Sequence, residues 1–153
     1  MKKPFYFLSP LFLFLLIAIA SKAQNTNAPH VNHLAVYVTD LQRSAEFYEK
    51  IMELQQIPEP FHDGKHVWLK IGEHSQLHII SGATADVPHD INVHLAFSVP
   101  SLEEFIKHLK AEKIKYGNFG QNSETPQLRA DGIKQVYLQD PDGYWIEVND
   151  DKF

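Results

Sequence analysis

The chain has 153 residues, no cysteine, and 14 basic against 19 acidic side chains, a formal charge of −5 with histidine neutral. Disulfide staples and thiolate metal sites are excluded, and the acidic balance argues against nucleic acid or an anionic membrane surface as partner. Nine histidines stand out for a chain of this length.

Met1-Lys2-Lys3 is a basic start, and Phe5 to Ala20 is apolar apart from Ser9 and Pro10. Ser21-Lys22-Ala23 then puts small residues at the −3 and −1 positions before Gln24. This is the pattern of a secretory signal peptide cleaved after Ala23, with a periplasmic or secreted destination. The apolar run is shorter than the roughly 20 residues that a membrane span needs, so no membrane association is expected after cleavage. Lys2, Lys3 and Lys22 leave with the segment, and the remaining 130 residues carry 11 basic against 19 acidic side chains. That length suits one domain over residues 31–153, after a disordered leader at 24–30.

Val31 to Val38 reads as a strand. Asp40 is a helix N-cap, and Leu41, Ala45, Tyr48 and Met52 follow at helical spacing to about Leu54. Pro58 and Pro60 break that region. Lys65 to Ile71 and Ser75 to Ile80 read as strands joined by a tight turn at Gly72-Glu73. Val87 to Asp90 reads as a linker. Val93 to Val99 is again a strand. Ser101 caps a helix to about Lys113 with Leu102, Phe105, Ile106 and Leu109 on its apolar face. Ile114 to Phe119 is a short strand candidate, and Gly120 to Gly132 a polar loop. Ile133 to Gln139 and Tyr144 to Asn149 form a hairpin through Asp140-Pro141-Asp142-Gly143, a strong turn sequence.

This order repeats. HLAVYVTDL from His33 aligns without a gap on HLAFSVPSL from His94, and each half closes on a strand with one ionisable residue among apolar ones: His78 in QLHII and Glu147 in YWIEV. Alternation places His33, Ala35 and Tyr37 opposite Leu34, Val36 and Val38. His94, His78 and Glu147 likewise lie opposite the more uniformly apolar face of their strands. That face packs under a helix, and the other lines a concave cavity. Four ligand candidates result: His33, His78, His94 and Glu147. Three imidazoles and a carboxylate suit a divalent transition metal, Zn or Ni first, with Fe, Co or Mn as alternatives. The fold class is α+β: two tandem βαβββ modules, at about 31–86 and 91–150, forming a curved half-barrel of mixed sheet with helices outside.

NHLAVYVTDLQRSAEFYEK, QLHII, HLAFSV and DPDGYWIEV resemble the signature stretches of the vicinal oxygen chelate superfamily, which includes glyoxalase I, methylmalonyl-CoA epimerase, fosfomycin-resistance enzymes, extradiol dioxygenases and bleomycin-binding proteins. The likeness covers nearly all of residues 31–149. It implies that His33, His94 and Glu147 are ligands, with Glu147 also a proton acceptor. His78 stands where glyoxalase I and the epimerases carry Glu or Gln. The activity implied is a metal-dependent, glyoxalase-like lyase or isomerase acting on a small α-hydroxycarbonyl or hemithioacetal substrate. An extradiol-type dioxygenase and a non-catalytic drug-binding resistance protein are the alternatives. A homodimer is expected, with the metal site formed within one chain or across two.

Around this centre, Trp68, Gln76, Arg129 and Trp145 are candidates for the substrate pocket. Trp68 and Trp145 would give it aromatic walls together with Phe61, Gln76 shares the face of His78, and Arg129 on the polar loop suits an anionic substrate group.

Overall fold

The computed structural model describes residues 28–85 and 87–152. The segment read as a signal peptide lies outside them. One compact unit spans Val31–Phe153, and everything below concerns that unit.

The first module contains β1 (His33–Val38), α1 (Leu41–Lys50), β2 (Gln55–Ile57), β3 (His66–Lys70) and β4 (Gln76–Ser81). Its sheet runs β1-β4-β3-β2, with β1 parallel to β4 and the other pairs antiparallel. The second module contains β5 (His94–Ser98), α2 (Leu102–Ala111), β6 (Tyr116–Gly117), β7 (Gln127–Leu128), β8 (Lys134–Gln139) and β9 (Trp145–Asn149). Its sheet runs β5-β9-β8-β6, and β7 adds to β8. The expected βαβββ order therefore holds in both modules, with β7 as an extra short strand in the long loop. The half-barrel is not one continuous sheet within the chain. It is two separate sheets, and β1 and β5 each keep one unpaired edge.

Both helices begin where the sequence places their caps. The Asp40 side chain accepts from the Arg43 backbone N–H, and Ser101 from that of Glu104. Both stop earlier than expected. The Leu54 N–H bonds back to the Tyr48 carbonyl, with Glu53 left-handed at φ 54°. After α2, Ile114 N–H reaches the Leu109 carbonyl and Lys113 N–H that of Lys110. This is a Schellman closure, with Lys113 (φ 57°) at the position glycine usually takes.

Strand alternation sorts the core as expected for Val36, Val38, Leu77, Ile79, Ile146 and Val148, all essentially inaccessible. Leu34 departs from it and is 38% exposed, at the start of β1, whose opening three residues are all exposed. A single apolar cluster runs through both modules and includes Tyr48, Ile51, Leu102, Leu109 and Leu138.

The modules are bolted together by the hairpin turn at residues 140–143. The Asp142 carboxylate accepts from Thr39 N–H, Thr39 Oγ1 and Ser44 Oγ, each at 2.7 Å, and lies 3.5 Å from the Arg43 guanidinium. Asp140 accepts from Tyr48 Oη at 2.8 Å and from the backbone N–H groups of Asp142 and Tyr144. Burial pushes both carboxyls upward. At Asp142 the hydrogen bonds and Arg43 outweigh it, and the group is held below the usual carboxylate range. At Asp140 burial wins and the group lies above that range. Asp142 thus contributes stability that is present above its unfolded value of about 3.9 and is lost as pH falls through its lower folded value. The Asp140 contribution has the opposite sign: present below the unfolded value, lost as pH rises through the raised folded one. Asp142→Asn removes one of two fully used acceptor oxygens and should cost about 1–3 kcal/mol at neutral pH. Asp140→Asn keeps one acceptor and offers N–H to the Tyr48 oxygen, so it should stay within about 1 kcal/mol of wild type. Denaturant unfolding of the two variants measures the contrast, and equal losses would contradict the assignment.

Candidate metal centre

The ligand candidates form two pairs in one chain, one on each sheet. On the second sheet, β5 and β9 are parallel neighbours with Ala96 opposite Glu147. His94 Nε2 and Glu147 Oε2 lie 3.4 Å apart. His94 Nδ1 lies 2.7 Å from the Ile91 carbonyl oxygen. A carbonyl only accepts, so Nδ1 carries a hydrogen, and in the neutral ring the Nε2 lone pair faces the carboxylate. Two acceptors facing each other need a proton or a cation between them. Two ligands at 2.0–2.2 Å from one tetrahedral ion are themselves about 3.4 Å apart. The pair is already set at that separation.

Glu147 is buried and well supplied with donors. Tyr137 Oη donates to Oε2 at 2.6 Å, Asn149 Nδ2 donates to Oε1 at 2.8 Å, and the Arg129 guanidinium stands 3.6 Å from Oε1. Arg129 is also tied to Asp131, whose carboxylate is the main cause of its raised pKa. The loop candidate Arg129 therefore does reach the site.

On the first sheet, β1 and β4 run parallel with His33 opposite Gln76, and Trp68 of β3 lies opposite His78. The His78 ring is sandwiched flat between Trp68 at 4.1 Å and His33 at 4.2 Å, with interplanar angles of 2° and 8°. Its Nε2 is bonded to Gln76 Oε1 at 2.9 Å. His33 Nδ1 is bonded to Asn32 Oδ1 at 2.7 Å, which leaves its Nε2 as the available nitrogen. Stacked imidazoles direct their lone pairs side by side, not toward a shared point. As placed, His33 and His78 are not co-ligands, and the reading of His78 as a ligand beside His33 finds no support in this arrangement. Burial first, then the charges of His33 and His66, lowers the His78 pKa. Among the described residues, no three His, Asp or Glu side chains converge on a metal position.

Of the pocket candidates, Gln76 orients His78, and Trp68 covers one His78 face, with its indole Nε1 buried and unpartnered. Phe61 sits edge-on to Trp68. Trp145 is an anchor: its Nε1 donates to the His89 carbonyl and fixes the linker. Its side chain lines a separate cavity of about 420 Å³ with Phe47, Ile114 and Pro141. Tyr137, Gln135, Asn149 and Asn32 went unread in the sequence. Tyr137 was accessible by counting back from the turn, since Gln139 pairs with Trp145 and Tyr137 with Glu147.

The family described as Glyoxalase/Bleomycin resistance protein/Dioxygenase superfamily matches residues 30–148. The chain belongs to that superfamily. It is 26% identical over 131 residues to the metallothiol transferase FosB of Bacillus licheniformis, covering 82% of this chain and 78% of that protein. Among solved structures it resembles a glyoxalase/dioxygenase from Nostoc punctiforme, with a TM-score of 0.68, 23% identity, and coverage of 89% of this chain and all of that one. It also resembles the oxidase ChaP-H1, with a TM-score of 0.67, 26% identity, and coverage of 82% and 98%. Long-range nitrogen–proton correlation spectra of the metal-free protein should show His94 as the Nδ1-protonated tautomer. A signal from Nε2-protonated neutral His94 would contradict the orientation derived from the Ile91 contact.

Proposed function

We propose that this protein is a metal-dependent enzyme, a glyoxalase-like lyase or isomerase acting on a small α-hydroxycarbonyl or hemithioacetal substrate. The observation that carries the reading is the His94–Glu147 pair, whose facing acceptors stand at the separation of two ligands on one ion. An imidazole and a carboxylate suit a divalent transition metal, with Zn or Ni the leading choices.

Two ligands make an incomplete centre, and His33 of a second copy supplies the third. The unpaired outer edges of β1 and β5 support this. Val31 is 63% exposed and Tyr37 53% along the first edge, and Val93 77% beside the second. Pairing β1 of one copy with β5 of another covers this apolar surface and engages the edge groups of both strands other than those of Tyr37, which the Tyr144 hydroxyl already holds. A two-fold axis then creates two equivalent centres. His78 stays outside the ligand set, held by Gln76, Trp68 and His33.

Bound there, the metal supplies Lewis acidity toward two adjacent substrate oxygens and stabilises the charge that develops on them. Glu147 would be both a ligand and the group that accepts the substrate proton. Asn149 and Arg129 hold Oε1, and Arg129 offers positive charge to an anionic substrate group. Trp68 and Phe61 give an aromatic wall. We place the protein outside the cytoplasm on the strength of the N-terminal segment Met1–Ala23.

A second reading has its own support. With His78 held aside, the protein ligands are two imidazoles and one carboxylate, the set of Fe(II) oxygenases, and an oxidase stands among the structural relatives. The purified protein should bind about one divalent metal per chain and sediment as a dimer. Loaded with Ni or Zn, it should isomerise a methylglyoxal–thiol adduct without consuming oxygen. Oxygen uptake with a catechol that requires Fe(II), and no isomerisation with any metal, would favour the oxygenase. Glu147→Gln should keep part of the metal and lower turnover by roughly 10² to 10⁴, whereas His94→Ala should lose metal and activity together.

A further inference from the structure

We propose that Tyr137 and Gln135 are positioning residues for Glu147, fixing which carboxylate oxygen is turned toward His94. The proposal rests on the reading of His94 and Glu147 as half of a metal centre.

The placement is built into the hairpin. Tyr137 is the direct cross-strand partner of Glu147, so phenol and carboxylate share one face of the β8–β9 ladder. Tyr137 is only 3% exposed. Its ring is held edge-on by His94 at 5.4 Å and by Phe119 at 5.7 Å. The hydroxyl donates at 2.6 Å to Oε2, the same oxygen that faces His94 Nε2.

Gln135 stands two residues back on the same face, also buried. Its Nε2 donates to Tyr137 Oη at 2.9 Å, which directs the phenol hydrogen onto Glu147. With the amide turned over, Gln135 instead donates to both Glu147 oxygens at 3.3 Å and accepts from Tyr137 at 2.9 Å. In the first orientation the Gln135 oxygen faces only the Glu147 oxygens, whereas the turned-over amide satisfies both of its ends and leaves the one phenol hydrogen shared between Gln135 and Glu147. The carboxylate is a hydrogen-bond acceptor in both.

Oε1 is meanwhile held by Asn149 and Arg129. The carboxylate is therefore prevented from rotating about its own axis and presents one oxygen toward His94. Phenylalanine at position 137 keeps the ring and its edge contacts while removing the only hydroxyl on Oε2. Asn149 and Arg129 still hold Oε1, but the oxygen turned toward His94 loses its hydroxyl donor and is placed less firmly. Partners of this kind, bonded to a ligand and not to the ion, typically govern metal affinity by 10–100-fold.

The test uses the full chain and cobalt(II), whose visible absorption reports coordination number and geometry. Wild type, Tyr137→Phe and Gln135→Leu are titrated, and affinity, stoichiometry, band position and the thermal midpoint of the metal-free protein are read. The expected result is about one cobalt per chain in wild type. Tyr137→Phe should bind roughly 10–100-fold more weakly, with weaker and shifted bands and an unchanged midpoint. Gln135→Leu should move the same readouts in the same direction by less. A Tyr137→Phe protein with wild-type affinity and spectrum overturns the positioning role while the metal reading stands. A Tyr137→Phe protein whose midpoint falls along with its affinity, beside a Gln135→Leu protein that matches wild type, also overturns it in favour of a structural role. A wild type that binds no cobalt overturns the metal reading and the positioning role with it.

Discussion

The two modules share one apolar cluster and are tied at one hairpin turn by buried polar bonds, and that attachment decides what the chain can and cannot do alone. The carboxylates of Asp140 and Asp142 reach across from the second module to Tyr48, Thr39 and Ser44 of the first. These are short, largely buried bonds to α1 and to the loop before it. They join the modules through α1, and the Tyr144 hydroxyl adds bonds to the Tyr37 backbone on the edge of β1. The consequence is visible in the sheets, which do not pair with each other, and in β1 and β5, which each keep an open edge.

The same attachment separates the two halves of the chemistry. His94 and Glu147 are adjacent because β5 and β9 are neighbours, and His33 and His78 because β1 and β4 are. Nothing in the described part of the chain brings three ligands to one point. The second-sheet pair is preorganised by its surroundings: Ile91 fixes the imidazole tautomer, and Tyr137 and Asn149 fix the carboxylate. The first-sheet pair is arranged differently, with His78 locked in an aromatic stack. Superfamily membership does not choose among the reactions that its members perform.

Much of the fold was legible because strong local signals agreed. Alternation marked β1, β4, β5 and β9, and Asp40 and Ser101 marked the helix starts. The Asp-Pro-Asp-Gly sequence marked the turn. What escaped had weak local signal. β2 is Gln-Gln-Ile on a sheet edge, and β7 is two residues inside a polar loop. Leu34 fits the apolar face by period, yet the start of its strand is exposed. The repeat identified which residues carry chemistry but not how they group, because grouping depends on how the modules pack. His78 shows this most clearly: its position in the repeat matches a ligand, while its stacking and its bond to Gln76 are tertiary facts. That Trp145 anchors the linker could not be read from the sequence, because the carbonyl that accepts its N–H is a tertiary partner.

The central claim is that each metal centre takes His33 from one copy and His94 with Glu147 from another. Mixing two inactive variants tests it most directly. His33→Ala and His94→Ala chains are unfolded together, refolded as a mixture, and their metal content and activity measured. In a mixed dimer, one of the two centres receives His33 from the His94→Ala chain and His94 with Glu147 from the His33→Ala chain. The account predicts that metal binding and activity return in the mixture, with at most one restored centre per mixed dimer. A mixture that forms dimers yet stays as inactive and metal-poor as its parents would contradict it.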